Sequence, residues 1–142
     1  MADASHFYGK FAQHAFNGTA DLDGGSLIAI LLDNTYTFDA DADEFIADLN
    51  GEVTDASYAR KVLSGVAFSY DAATNTVKFT SAPFTFTGLA ATWRHMVLAI
   101  STGSDATSPL VKCTSHDVDK TSSGADVTYT PNAAGLGTAI AN

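Results

Sequence analysis

The chain has 142 residues, 46% of them hydrophobic, with 16 Asp and Glu against 7 Lys and Arg, a balance that suits one folded domain, residues 1–142, around one core. A net charge of −9 opposes contact with nucleic acid, whose binders bring Lys and Arg to displace phosphate counterions, and it is repelled by an anionic membrane surface. The lone Cys113 allows no internal disulfide and no cysteine metal site, and reads as a small buried hydrophobe.

The first residues show no basic start followed by an apolar run and a small-residue cleavage site, and no stretch is long enough to span a membrane, so synthesis and folding in cytoplasm are expected. From Ala4 the apolar residues Phe7, Tyr8, Phe11, Ala12 and Ala15 recur at helical spacing, with Asp3 or Ser5 as N-cap and Asn17-Gly18 as the stop, which predicts one amphipathic helix within residues 1–18. Gly9 weakens that helix by roughly 1 kcal/mol against Ala, so it depends on docking, against its own sheet or as an assembly arm against a neighbour. Asp21 and Asp23 stand in a polar turn, where they could also hold a cation. Leu27 to Leu32 is apolar on both faces, as in a central strand.

Asp39, Asp41 and Asp43 occupy alternate positions and raise a choice between a calcium loop and a helix start. Counting from Asp39, a calcium loop of the EF-hand kind needs glycine at position 6 and Glu at position 12, where this chain has Glu44 and Asn50. The match fails, leaving at most an irregular cation site. Asp41 followed by Glu44, with Phe45, Ile46 and Leu49 as an apolar stripe, instead predicts a capped short helix. Downstream, Val66, Phe68 and Tyr70 alternate with small residues, Val77 and Phe79 alternate on the return, and residues 71–75 supply the turn of a β-hairpin. Pro83 marks a strand start or an edge before Phe84 and Phe86, and the later half of residues 91–100 reads as another central strand. Residues 110–117 and 125–131 are predicted as two short strands separated by the turn-rich 118–124. The sum is a mainly β protein, a sandwich or barrel, with an N-terminal helix and one short helix giving it minor α+β character.

Chemistry finds little footing. His6, His14, His95 and His116 form no metal-binding spacing such as HExxH, and hydrogen-bonded structural roles suit them better than ligation. No GxSxG elbow or phosphate-cradling glycine loop is present. The expectation is a protein without enzymatic activity and without cofactor. The aromatic residues Phe7, Tyr8, Phe11 and Phe16 exceed what a short helix needs to cover its own sheet, and they read either as core or as an intersubunit contact.

Residues Phe7–Phe16, the turn at Asp21–Asp23, the strand Leu27–Leu32, Tyr36–Phe38, the acid-rich Asp41–Phe45, then Glu52, Val53 and Tyr58 together resemble a widespread family of small virion structural proteins of tailed bacteriophages. The hairpin Phe68–Phe79, the pair Trp93 and Arg94, and Ser108–Leu110 extend the resemblance over most of the chain. It departs from the family at Asp55–Lys61, where relatives have a Gly-rich turn containing Tyr, and in a carboxyl-terminal part with fewer acidic and aromatic residues. The resemblance implies a decoration, or cement, protein on the outer capsid surface of the virion, bridging major capsid protein subunits and self-associating, as in a homotrimer. A minor tail or neck protein is the alternative, and a carbohydrate-binding module of a host-recognition fibre a further one, though a single Trp and no carboxylate pair support the last poorly. Phe7, Tyr8, Phe11, Phe16, Trp93 and Arg94 are the candidate interface residues.

Overall fold

The computed structural model describes residues 4–22, 25–131 and 136–140. Its elements are β1 (Ala4–Phe7), α1 (Phe11–Phe16), β2 (Ser26–Leu32), β3 (Lys61–Val62), β4 (Ala67–Asp71), β5 (Thr76–Thr80), β6 (Phe84–Ser101), β7 (Leu110–Tyr129) and β8 (Gly137–Ile140), with a single 3₁₀ turn at Ile46–Asp48. They form two antiparallel sheets, a five-stranded one in the order β1-β7-β6-β2-β3 and a three-stranded one in the order β4-β5-β8. The fold is mainly β, as composition and alternation predict.

The centre of the large sheet is β2 against β6, in register from Ser26 opposite Ser101 to Leu32 opposite His95. β2 and the later half of β6 are covered on both faces, which explains their unbroken apolar runs. Leu27, Ala29, Leu31, Met96, Leu98 and Ile100 face one apolar cluster, and Phe79 of the small sheet belongs to the same cluster, so the two sheets share it. Ile28, Ile30, Leu32, Val97 and Ala99 face a second cluster on the opposite side, closed by Tyr8, Tyr36, Ile46 and the partly buried Phe38 and Leu49. Cys113 is buried there, 1% exposed, as the small hydrophobe expected.

Three predicted elements differ. The N-terminal helix is present only as the six residues of α1; Ala4–Phe7 is instead an edge strand, Ala4 opposite Ser115 through Phe7 opposite Lys112. Helical spacing of aromatics is also compatible with a strand that turns into a helix, and Gly9 sits at that turn. A Cβ at Gly9 would lie 2.8 Å from the Ala40 carbonyl oxygen, to which the Gly9 N–H donates at 2.9 Å, so the glycine serves close approach of two backbones.

The acid-rich segment forms no α-helix. It is a loop draped over the second cluster, interrupted only by the 3₁₀ turn, whose Asp48 carboxylate accepts the N–H groups of Glu44 and Phe45. Burial of Ile46, with Phe38 and Leu49 packed beside it, outweighs the weak local preference for a capped helix.

The third difference lies in β7, which runs unbroken through residues 118–124, predicted as a turn. Its partner β6 supplies the reason: Ala90–Trp93 pair with Ser123–Lys120, and Thr92 and Thr121 join hydroxyls at 2.9 Å, as Thr85 and Thr128 do at 2.8 Å. Gly88 and Gly124, with φ of +60° and +102°, accompany the register shifts there. Across Gly88 the inward-facing set of β6 slips from Phe84 and Phe86 to Leu89, Ala91 and Trp93, all buried. The hairpin β4–β5 forms as predicted, Ala67 opposite Thr80 to Asp71 opposite Thr76, and β6 begins directly after Pro83.

Candidate functional site

The six candidate interface residues separate by burial. Tyr8 and Trp93 are 2% and 4% exposed in the chain's own core, which removes them from any docking surface. Trp93 donates its indole N–H to the Tyr129 hydroxyl at 2.9 Å, and His116 Nε2 lies 3.0 Å from the same oxygen. Phe7 and Phe11 are partly buried, stacked on each other at 5.6 Å, and Phe7 tilts onto Phe79 of the small sheet. Lys112 lies over the Phe7 ring and donates to the Leu136 carbonyl, which ties β7 to the entry of β8. Arg94 is held on the outer side of the ribbon by the Asp119 carboxylate at 2.6 Å, and Asn34 donates to the other Asp119 oxygen at 2.9 Å. Phe16 is the exception, 92% exposed at the end of α1.

Of the aspartates considered for a cation, Asp39 and Asp43 have structural duties. Asp39 Oδ1 accepts the N–H groups of Asp41 and Ala42, each at 3.0 Å, closing an Asx-type turn, and these bonds hold the Asp39 carboxyl below its ordinary pKa. Asp41 therefore caps no helix. Asp43 is buried and accepts the Tyr36 hydroxyl at 2.6 Å, while Tyr8 and Tyr36 hydroxyls meet at 2.8 Å. The proton order is fixed by the carboxylate: Tyr36 donates to Asp43, so Tyr8 donates to Tyr36. Burial, as the first cause, raises the pKa of both phenols, which keeps them as donors. Asp21 accepts the Gly25 N–H through its backbone carbonyl at 2.8 Å, and Asp23 lies outside the described residues. Among the described residues, no three His, Cys, Asp or Glu side chains are grouped to hold a metal ion.

Two charged clusters brace loops. Arg60 makes paired hydrogen bonds to Glu52, both at 2.7 Å, and to Asp105 at 2.7 and 2.9 Å, joining the segment after β2 to the β6–β7 turn. Its guanidinium holds Asp105 below the usual carboxylate range. The Glu52 oxygen also accepts the Tyr58 hydroxyl, which in turn accepts the Leu31 N–H. In the second cluster, Glu44 bridges Lys10 at 2.6 Å and His14 at 3.0 Å, tying α1 to the acid-rich loop.

The described residues also form concave regions. A polar cleft of about 460 Å³ lies between the loops carrying Asp33 and Asp55 and the outer side of the β6–β7 ribbon at Thr92, Asp119 and Thr121. Its carboxylates and hydroxyls suit a cationic or hydrogen-bonding group, but Asp33 and Asp119 are already occupied, by Thr35 and by Arg94 with Asn34. A shallower groove of about 700 Å³, lined by Ala15, Gly18, Ala20, Asp21, Leu22 and Phe68, lies between the end of α1 and β4. Large apolar side chains are exposed on the two elements that flank it: Phe16, which ends α1, and on the hairpin Phe68 at 43%, Tyr70 at 58% and Val77 at 39%. Reading the hairpin for its turn overlooked this surface. The available signal was the near absence of charge along residues 62–77, in which Asp71 alone is ionised.

Compared with known proteins, the chain matches no family model, no curated protein and no solved structure.

Proposed function

We propose that this chain is a non-enzymatic structural protein of a tailed-bacteriophage virion, a decoration protein that binds the outer surface of the capsid, bridges major capsid protein subunits and associates with itself. The observation that carries the proposal is the exposure of Phe16, Phe68 and Tyr70, with a groove between the end of α1 and β4, on a molecule that is strongly anionic. Large apolar side chains left in water on neighbouring elements mark a protein–protein contact. The resemblance of the sequence to phage virion proteins supplies the class of partner.

The work of such a protein is mechanical. A copy that buries surface across the junction between two capsid subunits binds the assembled shell and not the separated subunits, so it stabilises the shell by mass action. The negative charge agrees with an outer address, because an inner one would set carboxylates beside packaged phosphates. Arg60 and Glu44 and their partners serve this role by holding loops rigid, which lowers the ordering entropy lost on docking.

The test is a cryo-electron-microscopy reconstruction of the particle that carries the chain, with copy number from quantitative protein analysis. Regular density over the outer shell, at a copy number comparable to that of the major capsid protein, is the expected result. Bare capsomers, with the chain confined to the neck or tail, would overturn the decoration assignment.

A further inference from the structure

We propose that β4 is a self-association edge, along which two copies of this chain pair antiparallel and join their three-stranded sheets into one continuous sheet. β4 is the outer strand in the order β4-β5-β8, all five of its residues are exposed, and among the described residues no strand lies on its open side. A free edge presents unpaired N–H and C=O groups, and proteins that avoid pairing blunt such edges with Lys, Pro, bulges or brevity. The large sheet has these devices: β1 and β3 are four and two residues long, and beyond β1 the edge of β7 carries Lys120 and the irregularity at Gly124. β4 has none of them. It contains no Lys, Arg or Pro, and its five pairs with β5 run without a register shift.

The edge is complementary to itself. With the two-fold axis at Ser69, Phe68 of each copy stands opposite Tyr70 of the other, on one face, and Asp71 stands opposite Ala67. Directly opposed aromatics are favourable cross-strand pairs, and no like charges meet. Both rings are already ordered, Phe68 by stacking on Phe79 at 6.1 Å and Tyr70 by donating its hydroxyl to Asn75 at 2.9 Å. Pairing therefore freezes little that is not already fixed.

Charge selects the second copy over another kind of partner. Two molecules of net charge −9 repel wherever their acidic surfaces face. The hairpin, residues 67–80, carries one Asp71 and one Lys78 and so no net charge, which makes it a place where two such copies approach at little electrostatic cost and a basic partner gains little. The reach is short. Five residues of strand span roughly 17 Å, and an edge of that length and one strand wide buries less than the ~800 Å² per partner of standard stable complexes. The dimer is accordingly weak, forming at high protein concentration or where copies are held close together.

This inference does not depend on a virion role and is tested on the purified full chain. Sedimentation velocity over a concentration series is expected to show monomer passing to dimer as concentration rises. Ala67→Asp, at an exposed position whose own neighbour across the hairpin is Thr80, sets a carboxylate opposite Asp71 of the other copy at each end of the pairing and is expected to remain monomeric throughout. Hydrogen exchange provides a reading that needs no variant: amides of residues 67–71 in the native chain should be protected more in concentrated than in dilute solution. A chain that stays monomeric with unchanged exchange would overturn the proposal and leave the edge to a strand of a different protein. Association that Ala67→Asp leaves intact, with no added protection at β4, would place the dimer on another surface and overturn it equally.

Discussion

Arg60 illustrates how single residues hold this molecule together. Its guanidinium faces two carboxylates that come from distant parts of the chain, Glu52 and Asp105, and forms paired bonds with each. The pairs are only partly shielded from water, so each is worth less than a buried charge-assisted bond but more than a lone surface ion pair. Arg60→Ala is expected to cost about 1–2 kcal/mol in urea unfolding. A cycle with Asp105→Asn should show non-additivity, because both changes act on one network. Additive effects would mean that the two loops are held elsewhere. Gly51 is fixed by the same neighbourhood: it has φ +74°, and a Cβ there would lie 2.6 Å from the Asp33 carboxylate.

At the scale of elements, α1 is too short to be stable alone and is held by what its ends touch. Lys10 and His14 meet Glu44, Phe11 stacks on Phe7, and Phe16 points away from all of this. The two aromatic residues of one helix are therefore expected to behave oppositely. Phe11→Ser should lower stability by about 2 kcal/mol, a fall of roughly 5 °C in melting temperature, through lost burial against the shared core. Phe16→Ser should change stability by less than about 0.5 kcal/mol, as exposed substitutions do. Thermal melting of the two variants separates the cases; equal losses would show that Phe16 is packed in solution.

For the whole molecule, the response to acid follows from its titrating groups. Burial first, and the neighbouring Arg94 charge second, hold His95 below the ordinary histidine pKa. The unfolded state then binds more protons than the folded one, so stability present at neutral pH is lost as pH falls below about 6.5. Asp105, Glu44 and Asp39 are also held below their ordinary values, Asp105 and Glu44 chiefly by hydrogen bonds from Arg60 and Lys10, and Asp39 by backbone N–H groups. Their contribution is present above about pH 4 and lost below it. Melting temperature should fall from pH 7.5 to pH 5.5 and again toward pH 3.5 (values set by about one unit either side of these thresholds). His95→Gln should diminish the first fall and leave the second. A flat profile between the first two pH values in the native chain would contradict the assignment.

What the amino-acid sequence determined by itself is what local pattern and composition can carry. Unbroken apolar runs marked β2 and the later half of β6 as strands covered on both faces, strict alternation with a turn-rich interval marked the β4–β5 hairpin, and Pro83 marked the start of β6. The tertiary structure alone decided three things. Ala4–Phe7 became a strand because a partner lies more than a hundred residues away, at Lys112–Ser115. Residues 118–124 stayed extended because β6 pairs with them, against their own turn-forming composition. The acid-rich segment gave up its capping pattern because Ile46, Phe38 and Leu49 bury more apolar surface as a draped loop than a free short helix would. The same division applies to the candidate surface. Aromatic residues were visible in the sequence, but which of them end in the core, as Tyr8 and Trp93 do, and which reach water, as Phe16 and Tyr70 do, depends on how two sheets overlap. Burial belongs to the assembled molecule, because it is set by contacts between segments that local pattern does not connect.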